Sequence, residues 1–286
     1  MRLNRIQEKW TDCSSGICLV GVTVLLTVIH YLLPAALHEQ LVFVYSDPDL
    51  MTIWTASLLH ESSAHLRSNL EWFLLLSAYT YLLYTTWLQR RTFWIIFGVL
   101  FVVTPPLTIA VDYWLVYHRW GLLMESATAQ GFSGIVSALG GMLLVAIGAV
   151  VSKEYGQKVA LATIFAVVLG GAIGVLIIVG IQSPVIVVVL CLGVLGTTSL
   201  VVSITDLRNP VQFWTRISGS WDSILTIGPC CVVMMLLLTA LFRIRVGPDG
   251  QFVNVVAHGV GLLTGVISSA LLNPQKPYGY LLPLTR

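Results

Sequence analysis

Charged side chains are scarce in this sequence. Only 10% of its 286 residues are Asp, Glu, Lys or Arg, whereas 57% are hydrophobic; an ordinary soluble domain carries about 25% charged residues. The mean hydropathy is +0.88, and so few polar groups cannot cover a water-solvated surface. The composition therefore excludes a soluble globular protein and predicts an integral membrane protein.

Two further absences narrow the classes of function. The 15 Lys and Arg residues are spread over several loops and leave a net charge of +2, so they form no basic patch of the kind that binds nucleic acid. The five cysteines show no spacing typical of a metal site. We therefore expect no nucleic-acid partner, no metal and no cofactor.

Long apolar runs organise the whole chain. A membrane-spanning helix needs about 20 mostly apolar residues, and eight segments meet this need: 16–36, 65–87, 93–115, 132–152, 159–181, 184–204, 223–242 and 252–272. The fifth and sixth come from one uncharged run, which we divide at 182–184 into a helical hairpin. With no linker between the segments, residues 1–286 are predicted to form a single all-α polytopic membrane domain of about eight transmembrane helices.

The distribution of basic residues predicts the orientation, because cytoplasmic loops are enriched in Lys and Arg. With the N-terminus inside, eleven basic residues face the cytoplasm and only Arg67, Arg119, Arg243 and Arg245 face outward. Asp112 then falls in an outer loop. We expect a multi-pass protein of the plasma membrane with both termini in the cytoplasm.

A polar helix start precedes the second predicted span. His65 and Asn69 are four residues apart, so on a helix they share one face. Two such donors can stabilise a developing oxyanion, and one good donor is worth roughly 3 to 4 kcal/mol. Polar residues are also common where helices meet the membrane interface, and for His60, five residues earlier, this plainer interpretation stays open.

The fourth predicted span begins with Gly-Phe-Ser-Gly at 131–134. Ser133 would lie beside backbone N–H groups that the first helical turn leaves unpaired and that can bind an oxyanion. Gly131 and Gly134 leave room for a substrate backbone. Small residues equally serve close helix packing in membranes, and Ser133 and Ser137 begin a stripe at a spacing of four that fits this second role.

The last predicted span carries a histidine above a glycine groove. His258, Gly261 and Gly265 follow the spacing i, i+3 and i+7, so they share one helix face. If that face packs against the small-residue stripe of the fourth span, His258 can come within hydrogen-bond reach of Ser133. An ionisable residue inside a membrane helix indicates function by default, although a histidine bonded only to a neighbouring helix remains an alternative.

Three other ionisable residues near the apolar runs, Arg67, Glu71 and His30, are given no catalytic role. Arg67 and Glu71 are spaced i, i+4, and charges this close to a membrane helix are costly unless paired. We expect them to pair with each other. His30, in the first predicted span, has no partner discernible from the sequence, and we assign it no role.

Together, the His-x4-His-x3-Asn helix start, the GFSG helix start and the late Ala-His-x2-Gly-x3-Gly helix resemble the rhomboid intramembrane serine proteases. The three motifs occur in the order found in that family, and the similarity covers 54–87, 131–152 and 252–272. The resemblance implies a rhomboid-like helical bundle with a six-helix core, to which this chain adds an inserted helical hairpin.

The resemblance also implies the roles of the site residues. Ser133 would be the nucleophile, His258 its general base, and His65 and Asn69 the oxyanion donors beside the Ser133 N–H. No acidic residue is apparent that would complete a triad, so we predict a Ser133/His258 dyad. The motif residues with structural roles would be His60, Gly131, Gly134, Gly261 and Gly265.

By the same resemblance, the substrate is a transmembrane segment of another protein, cleaved near its outer end where small or helix-breaking residues let it unwind. The expected partners are thus transmembrane proteins and the lipid bilayer, and the sequence leaves the oligomeric state open.

Two features depart from the family pattern. Three predicted helices separate the serine helix from the histidine helix where the family has one, and the first outer loop, 37–58, lacks the usual Trp-Arg pair. Two alternatives stay open: a catalytically silent rhomboid-like protein that binds membrane helices, and a transporter. The second would favour repeated halves and polar residues near mid-membrane, whereas the polar residues here lie near the ends of the apolar runs.

Overall fold

The structure is a computed structural model that describes residues 2–124, 126–179, 221–242 and 254–273. Nine α-helices are found in these ranges: α1 (Arg2–Leu32), α2 (Ala35–Leu41), α3 (Thr52–Thr55), α4 (Ser63–Thr86), α5 (Arg90–Asp112), α6 (Ser133–Tyr155), α7 (Gln157–Val179), α8 (Trp221–Leu241) and α9 (Val255–Leu272). Two short strands, β1 (Phe43–Val44) and β2 (Thr128–Ala129), pair antiparallel. The described part of the chain is thus mostly helical, which fits an all-α membrane protein.

Four helical segments are long and apolar enough to cross a membrane: Arg90–Arg119, Ser133–Tyr155, Gln157–Ile178 and Val255–Leu272. The bent pair Gly16–Leu32 and Ala35–Leu41 is a candidate fifth span. Predicted spans 65–87 and 223–242 also form helices, α4 and α8, but α4 is not among the candidates by length and hydropathy, and the apolar part of α8, Leu225–Leu241, is short. Predicted span 184–204 and the break at 182–184 lie outside the described residues.

The first predicted span is wrong at its C-terminal end. α1 stops at Leu32, and α2 leaves it at an angle of 119°. Pro34 causes the break, because its ring disfavours helical backbone at the preceding residue and it lacks the N–H that would continue the helix. Pro34 itself has extended backbone, with φ −59° and ψ 142°.

Asp112 lies elsewhere than in the outer loop that the sequence predicts. It is the last residue of α5, and a π-helical stretch, Tyr113–Arg119, continues the same rod. Its side chain is 1% exposed. An apolar run marks where a helix crosses the membrane but not where the helix ends, so the sequence could not distinguish these two positions.

α6 lies at the centre of the bundle. Every residue from Gly134 to Val151 is buried, which is the environment expected of a helix that is apolar on all sides. The neighbouring helices expose large apolar side chains on their outer faces, for example Ile177 on α7 and Leu271 on α9. Such surfaces suit contact with lipid rather than with water.

A small folded layer covers the end of the bundle at which α6 begins, called here the serine end. It contains α2, β1, α3, a 3-10 turn (Ala56–Leu58) and β2, and it buries Phe43, Tyr45, Ala56 and Ile109 in a cluster of its own. The first loop, 37–58, is therefore a packed element of the fold. It lies next to the predicted site residues.

Candidate active site

Ser133 is the first residue of α6 and is half-buried. Phe132, which precedes it, is fully buried and packs against the rings of Phe73 and Phe101, at centroid distances of 5.4 and 5.6 Å. This apolar anchor fixes the start of α6. The backbone N–H groups of its first turn have no intrahelical acceptor, so free donors lie beside the Ser133 hydroxyl.

The backbones of α6 and α9 approach each other closely over the predicted small-residue faces. A Cβ built on Gly261 would overlap the carbonyl oxygen of Gly134 and come 3.0 Å from Cβ of Ser137, and one on Gly265 would overlap the carbonyl oxygen of Ala138. Residues later in α9 therefore contact residues later in α6, so the two helices are parallel. Ser133 and His258 lie at the same end of this pair, each just before its first close contact.

The orientation of His258 is set by a backbone carbonyl. Its Nδ1 lies 2.9 Å from the carbonyl oxygen of Leu241, at the C-terminus of α8. A carbonyl oxygen only accepts, so Nδ1 must carry the hydrogen, and in neutral imidazole Nε2 then holds the free lone pair. The last carbonyls of a helix lack intrahelical partners, which makes Leu241 available for this role.

In the described part of the chain, no hydrogen bond joins the Ser133 hydroxyl to His258. Nucleophile and base are often farther apart in a substrate-free site than in the reacting complex. What the fold supplies is a histidine with a defined tautomer, half-buried at the same end of the same helix pair as the serine.

His65 lies against the segment that leads to the serine. A Cβ on Gly131 would be 2.9 Å from Cε1 and 3.3 Å from Nε2 of the His65 ring. Gly131 has φ +131°, a backbone conformation open only to glycine. Its N–H donates to the carbonyl oxygen of Ala56 at 3.0 Å, which holds the segment in this position.

Asn69 follows His65 by one turn of α4 and is 5% exposed. Its side-chain Nδ2 has no hydrogen-bond partner among the described residues. A buried amide without a partner costs free energy, so Asn69 Nδ2 is a donor for which the described residues supply no acceptor.

His60 stands between two other histidines. Its ring centroid is 5.3 Å from that of His65 and 6.4 Å from that of His30, and His30 Nε2 is 3.2 Å from the hydroxyl of Ser63. Burial first, and then the nearby His65 and His30, lower the pKa of His60 to about 3. Across the ranges that the structure describes, no three His, Cys, Asp or Glu side chains are placed so that they could hold a metal ion, and this row is no exception.

The expected ion pair on α4 is confirmed. Arg67 Nε lies 2.8 Å from Glu71 Oε1, and both side chains are largely exposed. The pair lies on the surface of α4 and contributes little stability there.

Three residues near the site were missed by the sequence analysis. The Asp112 carboxylate accepts hydrogen bonds from the Tyr45 hydroxyl and, at 2.7 Å, from Nδ2 of Asn254. Asn254 is the N-cap of α9. Its signal was present, since Asn immediately before an apolar run is typical of a helix start; the contact with Asp112, 142 positions away in the chain, left no local pattern.

Compared with known proteins, the chain matches no family model, no curated protein and no solved structure. The case for its function therefore depends on its own residues and their geometry.

Proposed function

We propose that this protein is an intramembrane serine endopeptidase of the rhomboid type, with Ser133 as nucleophile and His258 as general base. Its substrates would be transmembrane segments of other proteins, cleaved near the membrane face at the serine end. The outer face and the plasma membrane are the expected location, and the bundle is expected to be rhomboid-like.

The observation that carries the proposal is the hydrogen bond between His258 Nδ1 and the Leu241 carbonyl. It leaves Nε2 as the proton acceptor on a helix packed tightly and in parallel against the one that Ser133 begins. A general base needs that tautomer and that side of the bundle. A histidine that only joined helices would make the same bond to Leu241, so it is the position of His258 at the serine end that favours a base.

The reaction follows from these parts. The Ser133 hydroxyl attacks the scissile carbonyl carbon while its proton passes to His258 Nε2, and the resulting oxyanion accepts hydrogens from His65, Asn69 Nδ2 and the Ser133 N–H. His258 then returns the proton to the leaving amine as the peptide bond breaks. Water then attacks the acyl-enzyme while His258 Nε2 takes its proton. His258 returns this proton to the Ser133 oxygen as the ester bond breaks and the carboxylic acid leaves.

A catalytically silent relative that binds membrane helices is the second candidate. The observation in its favour is that Ser133 and His258 share no hydrogen bond in the described part of the chain. Retention of both residues, together with the unpaired amide of Asn69, favours the protease.

A fluorophosphonate probe separates the two candidates, because it labels only an activated serine. The detergent-solubilised protein is compared with Ser133→Ala and His258→Ala, and circular dichroism verifies that each variant is folded. Labelling of the wild type, lost in both variants, is expected. Absence of label on folded wild type would favour the helix-binding candidate, and label retained in Ser133→Ala would disprove the proposed nucleophile.

A further inference from the structure

We infer that Asp112 is a positioning residue that joins the serine-bearing segment to the histidine-bearing helix through Tyr45 and Asn254. The inference rests on the proposed function, since it concerns how Ser133 and His258 are held in register. The three side chains are called here the Asp112 bridge.

On the histidine side, the bridge fixes the first turn of α9. Asn254 Nδ2 donates to Asp112 Oδ2 at 2.7 Å, and Asn254 Oδ1 accepts from the N–H of Ala257 at 2.9 Å. The Asn254 carbonyl accepts from the N–H of His258 at 3.1 Å. Both ends of one amide are thus engaged, so Asp112 determines where the turn that carries His258 begins.

On the serine side, the bridge runs through Tyr45. The Tyr45 hydroxyl donates to Asp112 Oδ2, and its backbone N–H donates to the carbonyl oxygen of Ala127 at 3.2 Å. Ala127 leads directly into β2, whose pairing with β1 fixes the approach to Gly131 and Ser133. Burial, and then the carboxylate of Asp112, raise the pKa of the Tyr45 phenol, so the hydroxyl keeps the hydrogen that it donates.

The burial of Asp112 favours a positional role. Its side chain is 1% exposed, Oδ1 has no partner in the described ranges, and no Lys or Arg there forms an ion pair with it. A buried acidic side chain without a counterion is costly, and an apolar residue of similar volume usually serves stability as well or better. Tyr45 and Asn254 donate to one oxygen of Asp112 from opposite sides of the site, so Asp112 holds both side chains in position.

Three variants test the bridge. Asp112→Leu removes both acceptor oxygens at similar volume, and Asn254→Asp replaces the donor by a second carboxylate while aspartate remains a good N-cap for α9. Asp112→Asn is the conservative variant, because Tyr45 and Asn254 share Oδ2 and Oδ1 has no partner in the described ranges. An amide oxygen in the place of Oδ2 keeps both hydrogen bonds.

The first readout is the rate at which Ser133 reacts with the fluorophosphonate. We expect Asp112→Leu and Asn254→Asp each to lower the maximal rate about tenfold or more, the effect of a small misplacement of reacting groups, with the half-saturating probe concentration unchanged. Asp112→Asn should keep most of the rate. Thr55→Val, which removes a 2.8 Å hydrogen bond to the Leu41 carbonyl in the same layer, is the control and should react like wild type.

The second readout does not depend on serine chemistry. In ¹⁵N spectra of histidine-labelled protein, with the His258 signals identified by their loss in His258→Asn, Asp112→Leu and Asn254→Asp should shift those signals and Asp112→Asn should leave them close to wild type. Unchanged His258 signals and unchanged rates in Asp112→Leu would overturn the inference. If wild type does not react at all, the proposed function fails, and the spectra alone then decide whether the bridge positions His258.

Discussion

The imidazole of His65 lies against the backbone of Gly131, and a Cβ at Gly131 would be 2.9 Å from its Cε1. Gly131 also has φ +131°. Two separate constraints therefore require glycine two residues before Ser133, one from the backbone and one from a side chain of another helix.

Gly131→Ala should consequently damage the site more than backbone strain alone would. We expect about 1 to 3 kcal/mol of strain and, in addition, displacement of His65 with loss of most fluorophosphonate labelling of Ser133. Gly156→Ala is a matched control, because Gly156 has φ +92° but no atom within 4 Å of its Cβ position and lies at the other end of α6. Equal labelling in the two variants would show that the contact with His65 does not matter.

The packing of α6 on α9 should be sensitive to one methyl group. Gly265→Ala would overlap the Ala138 carbonyl oxygen, and we expect it to destabilise the folded protein by about 1 to 3 kcal/mol, as overpacking does. Gly259→Ala, on the same helix, meets nothing nearer than Phe242 Cε1 at 4.0 Å and should be neutral or stabilising by up to about 1 kcal/mol. Thermal unfolding in detergent measures both, and equal midpoints would contradict the close approach of the helices.

Trp54 should stabilise α5 through a carbonyl that proline leaves unpaired. Pro106 has no N–H to donate to the Val102 carbonyl four residues earlier, and Trp54 Nε1 donates to that oxygen at 3.1 Å instead. Trp54→Phe should cost about 1 kcal/mol.

A double-mutant cycle isolates this effect. In a Pro106→Ala background the helix supplies its own N–H, so Trp54→Phe should there cost almost nothing. Trp114→Phe, at a position 64% exposed, is the control for loss of an exposed indole. A cost for Trp54→Phe that is the same in both backgrounds would show that the hydrogen bond contributes nothing.

Stability should fall with acidity because His60 is buried and neutral. Its folded pKa of about 3 lies below the ordinary value of about 6.5, so between these limits the unfolded chain binds a proton that the folded protein does not. Folding free energy is therefore lost as pH falls through this window, by at most about 1.4 kcal/mol per pH unit. Unfolding midpoints between pH 7.5 and 4.5 should fall less steeply in His60→Phe; identical slopes would mean that His60 takes up its proton while folded.

The orientation predicted from the basic residues can be mapped directly. Reporter fusions after residue 153 and after residue 215 should both give a cytoplasmic signal, because Lys153 and Arg208 are both assigned to the inner side. An external signal at the second position would remove the predicted helical hairpin. An external signal at both would invert the protein and move the serine end to the cytoplasmic face.

The sequence predicted the packing faces of single helices better than it predicted contacts between distant segments. Gly261 and Gly265 were predictable as a packing face because helix periodicity puts them on one side whatever the partner is. Pro34 was an equally local signal, yet the length of the apolar run outweighed it, and the first span was drawn too long. Asp112 could not be placed, since nothing near it in the chain indicates Tyr45 or Asn254.

The sequence by itself determined that this protein has helices apolar enough to cross a membrane, where most of its helices run, and which polar residues stand at their ends. Hydropathy and helix periodicity act over neighbouring residues, so they can be read without a fold. Only the tertiary structure decided how closely α6 and α9 approach each other, that the Leu241 carbonyl orients His258, and that Asp112 connects the two sides of the site. Those contacts join segments far apart in the chain, and one of them is to a backbone oxygen that every residue possesses.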